Sequence, residues 1–313
     1  MKLLRYVKNP ILRPDERKWW ESKAIFNPGV VCRSGRVHLL ARAIGEYERY
    51  VSRLSHYVST DGYDFESVQE EPAFAPKEQY EKWGCEDPRI TELEGKLYIT
   101  YVALSRPASA GGGPPRTAVA STRDLRSFRR YGVITPPGTD DKDTVLFPEK
   151  IQRKYAVLHR PHNWVGTEYG TERPSIWIAY SDDLRSLHGH RVVMKPEQNW
   201  ESEKIGSGPP PIRTREGWLL IYHGVDENSV YRAGAAVLDL KDPSRVKSRS
   251  PDPILEPERE YERIGDVPDV VFPTGAAVVD GNLFVYYGGA DKVCCVATAP
   301  LEEFLGSLPA SEN

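Results

Sequence analysis

A proline ahead of a short hairpin recurs five times along the 313-residue chain, and its spacing constrains the fold more than any other feature. Pro28 (Phe-Asn-Pro-Gly-Val-Val), Pro88 (Glu-Asp-Pro-Arg-Ile), Pro148 (Leu-Phe-Pro-Glu-Lys-Ile), Pro211 (Pro-Pro-Pro-Ile) and Pro273 (Val-Phe-Pro-Thr-Gly-Ala) stand, by subtraction, 60, 60, 63 and 62 residues apart. Each is followed by a short strand-like run, a tight turn and a more apolar run, as in Ile90 to Leu93, Glu94-Gly95-Lys96, then Leu97 to Val102. Three of the five turns carry Glu-Gly or Asp-Gly, which supplies a hairpin's positive φ at little steric cost. A third apolar run with its own stop signal completes the pattern: residues 55–59, 117–121, 175–181, 232–238 and 293–297.

A fourth short element, flanked by prolines, closes each of the first four units: Pro72 to Pro76, Val133 to Pro136, Val192 to Pro196 and Asp252 to Pro257. The fifth unit ends without one. Its counterpart stands at the start of the chain as Asn9 to Pro14. Five four-stranded units, the last completed by the N-terminus, describe an all-β, five-bladed β-propeller closed by an N-terminal strand. Prolines suit an outer edge strand, where a missing N–H costs no ladder bond. Paired β-sandwiches would give no reason for a period near 60 residues, and no linker is visible. A single propeller domain over residues 1–313 is the expected organisation.

In a propeller the innermost strands line a central channel, and loops from every blade meet at one end. Unusually polar residues interrupt the apolar runs there. Asn27 and Asp87 precede first strands, with Lys204 upstream of another, while Arg42, Arg160, His223 and Asp291 lie at the ends of second strands. One such residue is unremarkable; repeated from blade to blade they predict a lined cavity. Asp87, stiffened by the following proline, is placed for acid/base work.

Composition removes several function classes. A net charge of −3 with both signs interspersed gives no general attraction for nucleic acid or an anionic membrane. No apolar run reaches the length that crosses a bilayer, and the polar N-terminus does not read as a signal peptide, so a cytoplasmic location is expected. Four cysteines, two of them the adjacent Cys294 and Cys295, show neither metal-ligand spacing nor a disulfide framework. His159, His162, His188 and His190 likewise lack metal-ligand partners, so no metal is expected. Asp140, Asp141 and Asp143 read as a solvated turn. The run Ala110 to Pro115 reads as a connection within blade two, at an active-site rim or a homo-oligomer contact. Trp19, Trp20, Tyr80, Trp83, Trp164 and Tyr169 fall in loops, available for sugar stacking or for packing.

Glu-Asp-Pro-Arg-Ile, Leu-Phe-Pro-Glu-Lys-Ile followed by Leu-His-Arg-Pro, Ile-Tyr-His-Gly and Tyr-Tyr-Gly-Gly-Ala-Asp, in this order, resemble the mannoside phosphorylases and mannosidases of glycoside hydrolase family 130. The resemblance runs from Asn9 to about Phe304 and also implies a five-bladed propeller. It implies that Asp87 is the catalytic acid, protonating the glycosidic oxygen through a hydroxyl of the transferred mannose. Inorganic phosphate then attacks the anomeric carbon from the opposite face, turning a β-mannoside into α-mannose 1-phosphate. By the same resemblance Arg160, Lys204, His223 and Lys142 hold phosphate, and Asn27, Arg42, Arg53 and Asp291 hold the mannosyl unit. The expected partners are a β-mannoside and inorganic phosphate, the latter a co-substrate; no cofactor is implied.

The chemistry agrees. An inverting hydrolase needs a second carboxylate to activate water. Phosphate is already an anionic nucleophile and needs cations to hold it: paired hydrogen bonds from Arg, a point charge from Lys, a donor from an imidazole. A β-mannosidase of the same family and a non-catalytic glycan-binding propeller are the alternatives.

Overall fold

The hairpin turns set the blades. Ser34-Gly35, Glu94-Gly95, Gln152-Arg153 and Asp280-Gly281 all have positive φ at both positions, the geometry that matches the twist of two-residue hairpins. The computed structural model describes residues 1–107 and 114–309. Its first strand is β1 (Leu4–Arg5). Blade one is β2 (Ala24–Arg33), β3 (Arg36–Ile44), β4 (Arg53–Ser59) and β5 (Glu66–Ser67). Blade two is β6 (Gly84–Leu93), β7 (Lys96–Leu104), β8 (Arg116–Thr122) and β9 (Arg129–Val133). Blade three is β10 (Asp141–Leu146), β11 (Tyr155–Pro161), β12 (Ile176–Ser181) and β13 (His188–Met194). Blade four is β14 (Lys204–Ser207), β15 (Ile212–Arg213), β16 (Trp218–Val225), β17 (Tyr231–Leu238) and β18 (Val246–Arg249). Blade five is β19 (Val271–Val279), β20 (Asn282–Gly289) and β21 (Val293–Pro300), with β1 pairing antiparallel to β21 as its outer strand.

The sheets are antiparallel meanders, and each large core cluster fills one gap between neighbours. Blades one and two share Leu40, Leu54, Ile99 and Tyr101; two and three share Tyr98, Val119, Val157 and Ala179. Three and four share Leu158, Ile178, Leu220 and Tyr222; four and five share Ile221, Ala235, Val285 and Cys295. Leu39, Tyr57, Tyr286 and Val296 close the ring between five and one. A five-bladed β-propeller closed by its own N-terminus is therefore the fold, as the repeat predicts.

Two details differ from the sequence reading. In blades one, four and five the outer strands lie upstream of the proline-flanked segments, which instead fold back on third strands through single bridges: Phe74 to Leu54, Leu255 to Ala233, and Leu12 to Cys294. In blades two and three those segments begin inside the outer strands, at Val133 of β9 and Val192 to Met194 of β13. The repeat is also out of step with its prolines. Pro28 and Pro88 occupy bulges in β2 and β6, next to Asn27 and Asp87. In β10 the same bulge holds Asp143 and Thr144, so Pro148 falls downstream of the equivalent point. Ser207 and Gly208 hold that place in blade four, ahead of Pro211.

A second repeated device ties inner loops to outer strands. Glu81, Glu201 and Glu262 are fully buried. Each accepts a hydrogen bond from a second-strand tyrosine: Tyr101 at 2.5 Å, Tyr222 at 3.0 Å and Tyr287 at 2.8 Å. Each also pairs with an outer-strand arginine, Arg130, Arg249 or Arg5. Removing one partner leaves the other charge buried and unpaired, which costs roughly 3–5 kcal/mol. Arg5→Ala is accordingly expected to lower unfolding free energy by about 3 kcal/mol in a denaturant titration, because Arg5 closes the ring on Glu262; an unchanged midpoint would contradict that role.

Candidate active site

Register brings the polar residues into one layer. Arg42, Arg160 and His223 occupy equivalent positions on their second strands, opposite Phe26, Lys142 and Gly206. Bulges follow Phe26 in blade one, Glu86 in blade two and Lys142 in blade three, and Asn27, Asp87 and Asp143 adopt positive φ there, at 46°, 47° and 57°. That conformation is uncommon for residues with a side chain and is best tolerated by Asn and Asp. It turns three consecutive bulges toward a shared cavity of about 340 Å³. The cavity is lined by Asn27, Arg42, Asp87 and Asp291 together with Lys142, Arg160, Lys204 and His223. Eight of the nine residues singled out from sequence thus meet, drawn from all five blades.

Arg53 does not line it. Its guanidinium stacks on Trp19 at 4.7 Å and donates to the Val51 carbonyl, because β4 turns this residue away from the channel. None of the six loop aromatics lines the cavity either; Tyr231 and Phe272 do. Pro115 contributes to the wall, while Ala110 to Gly113 lie outside the described residues.

Asp87 is buried, and Arg89 is not its carboxylate's partner. The carboxylate accepts from Asn27 Nδ2 at 2.8 Å and from Arg42 Nη1 at 3.1 Å. Arg89 instead spans the channel, donating to the backbone carbonyls of Asp87 and Gly208, each at 2.6 Å. Burial works to raise the Asp87 pKa, but Arg42, Arg89, Lys142 and the Asn27 amide outweigh it and hold the group below the usual carboxylate range. Arg42 is itself fixed by Glu86 at 2.6 Å and Ser52 at 3.0 Å. Asp291 behaves oppositely: burial pushes it up to about 7, reinforced by Asp87 and Asp266 against Arg42.

The cation side is built around a residue read from sequence as part of a solvated turn. Asp143 is buried, and its Oδ2 accepts from Arg160 Nε at 3.0 Å and Nη2 at 2.8 Å. Three aspartates in four residues suggested a turn, but only Asp140 lies at the rim; Asp141 is fully buried and bonded to His159 at 2.7 Å. Burial pushes His223 down to about 3, so the imidazole is neutral near pH 7. Burial and the neighbouring Arg160 also lower Lys204, whose Nζ sits 5.3 Å from the Tyr231 ring centre. His162, which receives Arg160 Nη1 at 3.0 Å, and Tyr231 are lining residues that sequence reasoning missed.

Gly288, the blade-five counterpart of Arg42, leaves the space in which Asn27 reaches Asp87. A Cβ there would stand 1.9 Å from Asn27 Oδ1. Gly288→Ala is expected to push Asn27 off Asp87 and lower kcat by about tenfold or more, since small misplacements at a reacting centre are costly; steady-state kinetics on the folded variant check this.

Comparison with known proteins places this geometry. The sequence profile of the glycoside hydrolase 130 family, described as beta-1,4-mannooligosaccharide phosphorylase, matches residues 4–309. A 1,2-beta-oligomannan phosphorylase of Thermoanaerobacter sp. is 41% identical over 97% of this chain and 99% of its own length. A beta-1,2-mannobiose phosphorylase of the same organism is 39% identical over 96% of this chain and 98% of its own. The solved beta-1,2-mannobiose phosphorylase of Listeria innocua, in complex with beta-1,2-mannobiose, superposes with a TM-score of 0.85 at 31% identity, covering 98% of this chain and 99% of that one. Fold, spacing and sequence agree that the chain belongs to glycoside hydrolase family 130.

Proposed function

We propose that the protein is an inverting β-mannoside phosphorylase, with inorganic phosphate as co-substrate and no further cofactor. The observation that carries this reading is a single cavity holding a buried carboxylic acid on blade two and a cluster of cations from blades three and four. Asp87 is the acid. Asn27, Arg42 and Asp291 hold the mannosyl unit, and Lys142, Arg160, Lys204 and His223 bind phosphate, with the Tyr231 hydroxyl beside them. β-1,2-Linked mannosides are the first substrates to test, because two relatives similar over nearly the whole chain are named for that linkage.

In the reaction, the bond between the anomeric carbon and the glycosidic oxygen breaks. The oxygen takes a proton originating on Asp87, passed through a hydroxyl of the mannosyl unit, while a phosphate oxygen bonds to the carbon from the opposite face. Over a cycle, the proton of hydrogen phosphate restores the acid. Asp87 is held ionised in the free site by cations, Lys142 among them. Bound phosphate offsets that positive field, so the acid gains its proton when both substrates are present. A neutral His223 donates one hydrogen bond without adding charge.

No helix among the described residues is long and apolar enough to cross a membrane. A cytoplasmic location belongs to the same proposal, supported by four unpaired cysteines.

The test is incubation with β-1,2- and β-1,4-mannobiose, with and without phosphate. Sugar phosphate plus one mannose, formed only with phosphate, supports the proposal. Two mannoses released regardless of phosphate would make the protein a mannosidase, and no cleavage of these or of any longer or mixed β-mannoside would leave a glycan-binding propeller.

A further inference from the structure

Three successive blades present a side chain from the same bulge, in the same left-handed backbone conformation, and two of the three are accounted for: Asp87 is the acid and Asn27 its hydrogen-bond partner. The third, Asp143, has a carboxylate that is almost entirely buried yet makes no contact expected of a sugar ligand or a base. It is spent on the cation cluster. One oxygen takes two hydrogen bonds from Arg160 and lies 3.6 Å from His223 Nε2; the other lies 3.8 Å from Arg89 Nη2. The chain leaves room for this contact by omitting a side chain opposite: a Cβ on Gly206 would stand 2.3 Å from Asp143 Oδ2 and 2.5 Å from His223 Cε1.

We infer that Asp143 is a positioning residue for phosphate: it holds the Arg160 guanidinium and the His223 ring in the orientation that receives the oxyanion, and Gly206 provides the space. The inference rests on the phosphorylase reading and names a residue that reading does not require. Two opposing effects decide what its removal does. An anion beside a phosphate site repels phosphate, so neutralising Asp143 tends to tighten binding. Against that, the carboxylate fixes Arg160 through two hydrogen bonds that converge on one oxygen, and it favours the charged form of Lys204, which Arg160 and Lys142 oppose. The hydrogen-bonded term dominates, because a paired contact between charged groups at 2.8–3.0 Å outweighs a through-space repulsion already screened by several cations.

Asp143→Asn is isosteric and removes the charge. The expected result is a KM for phosphate raised about tenfold, with kcat at saturating phosphate within about threefold of wild type and the KM for mannobiose unchanged; general loss of packing would not single out phosphate. Gly206→Ala, which keeps the carboxylate but displaces it, is expected to give the same split and is read in the same assay should the Asn variant not fold. An unchanged or lowered KM for phosphate in a folded variant, with the wild type dependent on phosphate, would overturn this inference alone. A wild type indifferent to phosphate would overturn the phosphorylase reading and this inference with it.

Discussion

Asp87→Asn is expected to lower turnover of β-mannobiose by roughly 10³-fold or more, the upper part of what a positioned general acid contributes. Asparagine keeps the shape and can still meet Arg42 and Asn27, but it has no proton to give an alkoxide leaving group. A substrate with a better leaving group separates this role from a structural one. A nitrophenyl β-mannoside needs little protonation, so the variant should retain far more activity on it, with phosphate still required. Equal losses on both substrates would mean that Asp87 binds sugar instead. Circular dichroism and thermal melting should match wild type, since the carboxylate's neighbours keep their own partners: Arg42 retains Glu86 and Ser52, and Arg89 bonds to backbone.

Arg160→Ala is expected to cut kcat/KM for phosphate by roughly 100-fold. Hydrogen bonds to charged groups contribute about 1.5–3 kcal/mol each, and every 1.4 kcal/mol is tenfold in affinity. The loss has a second component, because Asp143 would be left with His223 and Arg89 at longer range, and its uncompensated charge would face the incoming anion. The effect should appear chiefly in the KM for phosphate. Lysine at this position should restore little, having one point charge in place of a planar fork. An Arg160→Ala enzyme with wild-type phosphate dependence would remove the guanidinium from the phosphate site.

The blades were legible because three consecutive strands per unit obey a regular pattern of apolar run, turn and apolar run. Positions in the second strands, such as Arg42, Arg160 and His223, carried over directly, since the extra residues of the bulges lie on the first strands and leave the second strands regular. First strands were harder. They bulge, and a bulge marked by proline in blades one and two is built from Asp143-Thr144 in blade three, so nothing in residue type announced the equivalence. Asp143 was thereby hidden among neighbouring aspartates that have different fates. The buried glutamates escaped notice because charged side chains are ordinarily solvated. Yet a signal existed: Pro76 to Glu81, Pro196 to Glu201 and Pro257 to Glu262 repeat a proline five residues ahead of the glutamate in three blades. Gly288 and Gly206 could not be identified from sequence, since their importance is the space they leave for Asn27 and Asp143 from other strands.

The most direct test of an acid and an oxyanion acting on opposite faces of one sugar is the stereochemistry of the product. β-1,2-Mannobiose, or β-1,4-mannobiose if that is the linkage cleaved, is incubated with phosphate and followed by phosphorus and proton NMR from the first turnovers. The phosphate signal should fall in step with the disaccharide while α-mannose 1-phosphate alone accumulates. Cleavage that leaves the phosphate signal untouched, or a β-configured sugar phosphate as the first product, would contradict the account.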